Sequence, residues 1–250
     1  IKQLKTFGAA GFHCLAAARV TDRYPRESFA AGLRILGEGQ LSLTKFLIIT
    51  DGDINIEDFR ELWTHVLERV DWRRDLFIFA NVSQDTLDYT GPSVNNGSKA
   101  LLMGLGREPR TVLPRSFHGD LPRGCRAAPA YLPGTLVVEG EGYEEEKELP
   151  RRIAANQCFA GWPVVLLVDS LKETTVNLQE FVWTFFTRFE PAADIYSAGH
   201  QMHRFHVGLV PPIVFDCRMK PWYPHVLEVD PATKKLVDGK IDAVLPNNLR

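Results

Sequence analysis

Two stretches of the chain carry the same order of apolar and polar positions. In the first, the apolar run Phe46-Leu47-Ile48-Ile49-Thr50 ends in Asp51-Gly52-Asp53, and Phe59, Leu62, Trp63, Val66, Leu67 and Val70 follow. In the second, Val164-Val165-Leu166-Leu167-Val168 ends in Asp169, and Leu178, Phe181, Val182, Phe185, Phe186 and Phe189 follow. Within each set the apolar residues fall at offsets of 0, 3, 4, 7, 8 and 11, the stripe of a helix that buries one face. Each set also has an arginine ten positions after its start (Arg69, Arg188) and an aspartate sixteen after (Asp75, Asp194). Agreement at so many positions predicts a duplicated unit.

The surrounding pattern extends each unit. A strand near 12 to 19, a helix opened by Pro25 and stopped near Gly37 and Gly39, the strand at 46 to 50, a helix from 57 to 70 and the strand Leu76-Phe77-Ile78-Phe79 make one β-α-β-α-β series. Thr135-Leu136-Val137-Val138, a helix opened by Pro150, the strand at 164 to 168, a helix from 177 to 189 and a strand starting at Asp194-Ile195-Tyr196 make another. The expected fold is therefore α/β, with two repeated β-α-β-α-β lobes, a largely parallel sheet and helices on its faces, the lobes sharing one core or packed closely. The divisions are 1–105 for the first unit, 106–134 for an irregular connector rich in Pro, Gly and Arg, and 135–250 for the second unit with a polar C-terminal tail. Six glutamates between Glu139 and Glu148 read as a solvated loop and helix start.

Composition narrows the function classes. With 250 residues, 45% of them hydrophobic, the chain can bury a full core. A formal charge of -2 gives no electrostatic reason to expect nucleic acid or an anionic membrane as partner. No apolar stretch approaches the roughly 20 residues of a membrane span. The start, Ile1-Lys2-Gln3-Leu4-Lys5, does not read as a secretory signal and lacks methionine, so a processed chain or a piece of a longer one is expected. Cys14, Cys125, Cys158 and Cys217 are scattered, which favours reduced thiols and a cytoplasmic location.

Several short motifs invite chemistry. Asp51 and Asp53 follow a buried strand, where open α/β sheets place ligands and two carboxylates could hold a divalent metal. As an EF-hand the segment fails, with Ile56 at the sixth position and Leu62 at the twelfth. The structural alternative has Asn55 capping the next helix, with Glu57 and Asp58 at its positive end. Gly91 to Lys99 has too many residues between its glycines for a P-loop, yet it leaves a glycine-bearing loop with one lysine that could hold a phosphate. His200, His203 and His206 would share a helix face suited to zinc, but Gly199 and Gly208 favour a loop. Gly37-Glu38-Gly39 follows a helix and precedes a strand, the reverse of a dinucleotide fingerprint.

Gln40-Leu41-Ser42-Leu43-Thr44-Lys45-Phe46 leading into Thr50-Asp51-Gly52-Asp53-Ile54-Asn55, then Arg69-Val70-Asp71 and Asp75, resembles the C-terminal region of UbiD-type decarboxylases. The similarity reaches upstream to Phe12-His13 and Arg23-Tyr24-Pro25 and downstream to Gly97-Ser98-Lys99, roughly the first hundred residues. The second unit looks like a diverged copy. The resemblance implies a non-oxidative (de)carboxylase that acts with prenylated FMN on an aromatic or α,β-unsaturated acid, with quinone precursors as one such class. It implies Gly97, Ser98 and Lys99 at the cofactor, Lys99 by its phosphate, and Phe12 and His13 lining the substrate pocket. The family's catalytic arginine and glutamates lie in an earlier domain and have no counterpart here. The chain is therefore expected to hold no catalytic residue and no metal ligand of its own. The flavin, with its divalent metal and potassium, would be held mainly by that N-terminal flavin-binding domain of the same polypeptide. A homo-oligomer, dimer or hexamer, is the other expected partnership. A metal-dependent nucleotide-sugar transferase using Asp51 and Asp53, and an assembly scaffold without catalysis, are the alternative readings.

Overall fold

The computed structural model describes residues 1–227 and 229–244. Its first sheet contains β1 (Gln3–Thr6), β2 (Leu15–Arg19), β3 (Phe46–Thr50), β4 (Leu76–Ser83) and β5 (Asn96–Gly104), in the order β1-β2-β3-β5-β4. Strands β2, β3 and β5 are parallel, with Leu15 beside Phe46 and Phe46 beside Ala100, while β1 and β4 run antiparallel at the two edges. Every residue of β3 is buried, which is why a central strand reads as an unbroken apolar run instead of an alternation.

The second sheet contains β6 (Cys125–Ala127), β7 (Ala130–Leu132), β8 (Thr135–Gly140), β9 (Val164–Val168), β10 (Ile195–His203) and β11 (His206–Asp216). Its order is β10-β11-β9-β8-β6, with β7 also paired to β8. Here β8, β9 and β11 are parallel and β6, β7 and β10 antiparallel. The helices are α1 (Glu27–Gly37), α2 (Phe59–Arg69), α3 (Leu149–Ala155), α4 (Leu171–Thr174), α5 (Leu178–Thr187), α6 (Pro191–Asp194) and α7 (Pro231–Val244).

Helices α2 and α5, which carry the two apolar stripes, lie between the sheets. One continuous core joins Leu15, Phe46 and Ile48 of the first sheet, Val164, Leu166 and Ile213 of the second, and Phe59, Trp63, Phe181 and Phe186 of the helices. The outer face of the first sheet packs Leu47, Ile49 and Leu101 against Ile35 and Leu36 of α1. That of the second packs Leu136, Val165 and Leu167 against Ile153 of α3. Both halves thus share one core. Across it the indole Nε1 of Trp63 donates to Thr135 Oγ1 at 2.9 Å.

The structure corrects several expectations. "Largely parallel" gives way to two mixed sheets, parallel at the centre and antiparallel at the edges. Each half has two strands after its second helix instead of one. The position beside β3 goes to β5, whose Ala100 to Met103 are fully buried, whereas in β4 only Leu76 is buried and the other residues are half-buried or exposed, as on an edge strand. Residues 97–99 therefore form strand and not loop. The 106–134 connector contains β6 and β7, and the C-terminal tail contains α7. His200, His203 and His206 lie on the β10–β11 hairpin, with His203 directly opposite His206. Helix α2 is capped by Asp58, which accepts from the Arg60 and Glu61 amides; Asn55 accepts from Glu57 in the preceding turn. No helix among the described residues is long and apolar enough to cross a membrane.

Candidate functional site

The parallel strands of the first sheet begin at one edge, and four segments meet there. The Gly8–His13 turn leads into β2, Lys45 stands just before β3, the 84–90 turn lies in the connection from β4 to β5, and Gly97 to Lys99 lie near the start of β5. Gly11 and Phe12 both have φ of 65°, a conformation that is uncommon for a bulky residue and redirects the chain sharply. It leaves Phe12 58% exposed and turns His13 toward the 84–90 turn.

There His13 Nδ1 bonds to Asp85 Oδ2. The imidazole is one-third exposed and the carboxylate largely covered, at 33% and 14%. Beneath them Lys45 Nζ lies 2.9 Å from Asp88 Oδ2, with side chains 1% and 4% exposed. Thr90 donates its amide and its hydroxyl to Asp88 Oδ1 at 3.0 and 2.6 Å. Lys45 also approaches Thr90 Oγ1 at 3.3 Å and stands 5.5 Å from the centre of the Phe189 ring. Burial pushes the neighbouring Cys14 thiol up to about 11, so it stays protonated and is no nucleophile.

The acidic turn is held by Gln84. Its side chain donates to Asp88 O at 2.9 Å, and Asn95 donates to Gln84 O at 3.1 Å. A Cβ on Gly97 would stand 1.7 Å from Gln84 Oε1, so the glycine is required for Gln84 to pack and not for a phosphate to approach. Ser98 and Lys99 then project to opposite faces of β5, as successive strand residues do. Ser98 Oγ donates to Glu190 Oε1 at 3.0 Å and accepts from the Ala192 amide at 2.9 Å, fully buried. Lys99 Nζ donates to the carbonyls of Ser42 and, at 3.1 Å, Thr44. Burial lowers the Lys99 pKa against the pull of Asp88 and Asp85. Burial also works against the Asp85 charge, but the Leu87 amide, His13 and Lys99 hold that carboxyl below its usual range.

The structure thus brings Phe12, His13 and Lys99 to one edge and separates Ser98 and Gly97 from them. Two carbonyls take two of the three protons of the Lys99 ammonium, leaving one N–H for another acceptor. Among the described residues of this edge, the fit to a phosphate is that single cation and no closed cradle. Asp85, Asp88 and Lys45 complete the site. The sequence reading did not select the two aspartates, because a polar turn between strands has no periodicity that marks it.

The other end of the strands differs. Asp51 accepts from the Gly106 amide at 3.0 Å, while Asp53 pairs with Arg19. No group of three or more His, Cys, Asp and Glu is placed to hold a metal among the described residues, which includes the three hairpin histidines.

Residues 1–104 match the family model of the 3-octaprenyl-4-hydroxybenzoate carboxy-lyase C-terminal domain. The chain is 40% identical over 99% of its length to a 4-hydroxybenzoate decarboxylase subunit of Chlamydia pneumoniae, covering 42% of that protein. It is 41% identical over 98% of its length to an uncharacterized protein of Chlamydia trachomatis, again covering 42%. A solved structure of the UbiD-class enzyme HmfF from Pelotomaculum thermopropionicum in complex with FMN superposes with a TM-score of 0.39 at 20% identity, over 49% of this chain and 26% of that one. The chain spans about two fifths of the length of the curated relatives it matches, 42% in both cases. The family match covers the segment on which the sequence resemblance rests.

Proposed function

We propose that the chain, whose residues 1–104 match the model of the 3-octaprenyl-4-hydroxybenzoate carboxy-lyase C-terminal domain, supplies one wall of the active site of a non-oxidative (de)carboxylase. Its acid is aromatic or α,β-unsaturated, a quinone precursor among the candidates. A flavin-bearing N-terminal part of the same polypeptide covers the β2–β3–β5 edge, and the chain also supplies contacts within a cytoplasmic homo-oligomer. When bound, prenylated FMN supplies the electron sink for loss of the carboxylate.

The observation that carries this reading is the placement of His13 and Lys99 at the start of the parallel strands, His13 bonded to Asp85 and Lys99 held by the carbonyls of Ser42 and Thr44 just before β3. Phe12, Leu87 and Trp183, which are 58%, 85% and 43% exposed, give the same edge an apolar rim for a covering element. Lys99 is then the cation this chain offers to the flavin phosphate, with its pairing of ammonium and phosphate strengthened by charge. In the full-length protein, Lys99→Ala is expected to weaken flavin retention about tenfold to a hundredfold, the weight of one hydrogen bond to a charged group. Flavin absorbance retained through dialysis measures it, and unchanged occupancy would remove Lys99 from the cofactor site.

The same proposal treats the two halves as copies of one unit. Asp51 accepts from Gly106 where Asp169 accepts from Met219, and the Asp71 amide donates to Asp75 where the Glu190 amide donates to Asp194. At the sheet edge of the second copy, Pro163, Pro211 and Pro212 stand where the first has Lys45, Ser98 and Lys99, by the pairing of β9 with β11 and of β3 with β5. Support thus favours chemistry in the first copy alone.

A further inference from the structure

The C-terminal ends of β2, β3 and β5 lie opposite the edge that holds His13 and Lys99, at the end where open α/β sheets take ligands. Two cavities meet there, with Asp22, Asp51 and Gly106 in the walls of both. The smaller, about 330 Å³, adds Arg26, Arg74 and Arg110. The larger, about 590 Å³, adds Asp53, His65, Arg69 and Arg107. Both volumes suit a small molecule.

Part of this charge is used within the fold. Asp22 accepts from the Arg26 and Ser28 amides at 3.0 and 2.6 Å, Arg26 pairs with Asp75 at 2.8 Å, and Arg69 donates to the carbonyls of His65, Gly106 and Arg107. What remains is divided by sign. Arg74, Arg107 and Arg110 are exposed and have no carboxylate partner among the described residues. Asp51 accepts from the Gly106 amide, and the exposed Asp53 pairs with Arg19, a surface pair that a ligand can enter at little cost. The His65 ring rests against Gly52, where a Cβ would stand 2.3 Å from it. Burial and Arg69 lower the His65 pKa against the pull of Asp51, so the ring brings no charge to the carboxylates.

The second half closes the same strand end with its own side chains. Ala100 and Ile213 lie opposite the first residues of β3 and β9; counting on from them, Arg218 falls where Leu105 does and Lys220 where Arg107 does. Arg218 is wholly buried, bonded to the Asp216 carboxylate and to the carbonyls of Glu141, Gly142 and Glu146. Lys220 is closed on Asp194 and Tyr223 at 3.1 Å each. In the first half Leu105 brings no charge, Arg107 stands in solvent, and a Cβ on Gly106 would meet no atom within 4 Å. The first half thus leaves open what the second half fills.

We propose that this cleft binds a phosphate ester of a polyhydroxyl compound, of the sugar-phosphate type, with its phosphate between Arg74 and Arg110 and its hydroxyls on Asp51 and Asp53. Guanidinium groups hold a phosphate through paired, charge-assisted N–H donation. Ionised carboxylates only accept hydrogen bonds, so Asp51 and Asp53 take hydroxyl protons and turn the phosphate toward the arginines. The binding needs neither His13 nor Lys99.

The test is calorimetry on the full-length, flavin-loaded protein, in which any site for the flavin phosphate is already filled. Ribose 5-phosphate should bind at least about tenfold more tightly than inorganic phosphate or ribose, the weight of one further hydrogen bond to a charged group. Arg74→Ala and Arg110→Ala should each weaken it about tenfold to a hundredfold on the same scale. Asp53→Ala should weaken ribose 5-phosphate without weakening inorganic phosphate. Arg115→Ala removes an exposed arginine that lines neither cavity and should change nothing. Equal affinity for phosphate and its ester would reduce the cleft to an anion patch and overturn the proposal. An equal loss in Arg115→Ala, or no binding of the ester at millimolar concentration, would overturn it as well.

Discussion

Asp88→Ala is expected to cost the fold about 3–5 kcal/mol, the range found when one partner of a buried ion pair is removed. Lys45 is 1% exposed on its side chain and cannot carry its ammonium to water. Without Asp88 it would keep only the Thr90 hydroxyl at 3.3 Å and the face of Phe189. Asp88 also binds the Thr90 amide, so Asp88→Asn separates the two contributions, keeping an acceptor for the turn while removing the charge. The double replacement Lys45→Met with Asp88→Leu should recover most of the loss, because it deletes both desolvation penalties together. Urea denaturation of the four proteins measures these differences. A loss below about 1 kcal/mol for Asp88→Ala, the scale of an exposed pair, would mean that water reaches Lys45 and that the pair is not the floor of the site.

Much of the framework is legible in the sequence because burial leaves a periodic trace. The stripe from Phe59 to Val70 marks α2 and its counterpart from Leu178 to Phe189 marks α5, while β3 and β9 appear as unbroken apolar runs. What sequence periodicity cannot show is which strand lies beside which. Residues 92–98 have the composition of a turn, yet Asn96 to Lys99 are strand, because a neighbouring segment fills the space above Gly97. The hairpin histidines are another such case: their spacing suits one helix face, but Arg204 and Phe205, with φ of 49° and 63°, close a tight turn between β10 and β11. The candidate site was legible only in part for the same reason. His13 and Lys99 stand in segments with a family resemblance, whereas Asp85 and Asp88 acquire meaning only when the 84–90 turn folds against His13 and Lys45.

Phe186→Ala is expected to destabilise the protein by about 3–5 kcal/mol, the cost of emptying a buried phenylalanine site, and to do so in both halves at once. Phe186 is fully buried, with ring centres 4.1 Å from Phe185 on its own helix, 5.5 Å from Phe46 of β3 and 5.8 Å from Phe59 of α2. The cavity would therefore open on the first sheet, on α2 and on α5 together. If the lobes were independent domains, tertiary signals from Trp63 in the first half and Trp162 in the second would lose their midpoints separately, and only one would move. The shared layer argues for one transition with coincident midpoints, both lowered equally. Fluorescence of single-tryptophan variants during urea unfolding decides between them. Separate midpoints would place the boundary near residue 105 as a true division between folding units; coincident ones would make the edge around His13 and Lys99 dependent on the second half, whose α5 and Phe189 pack behind it.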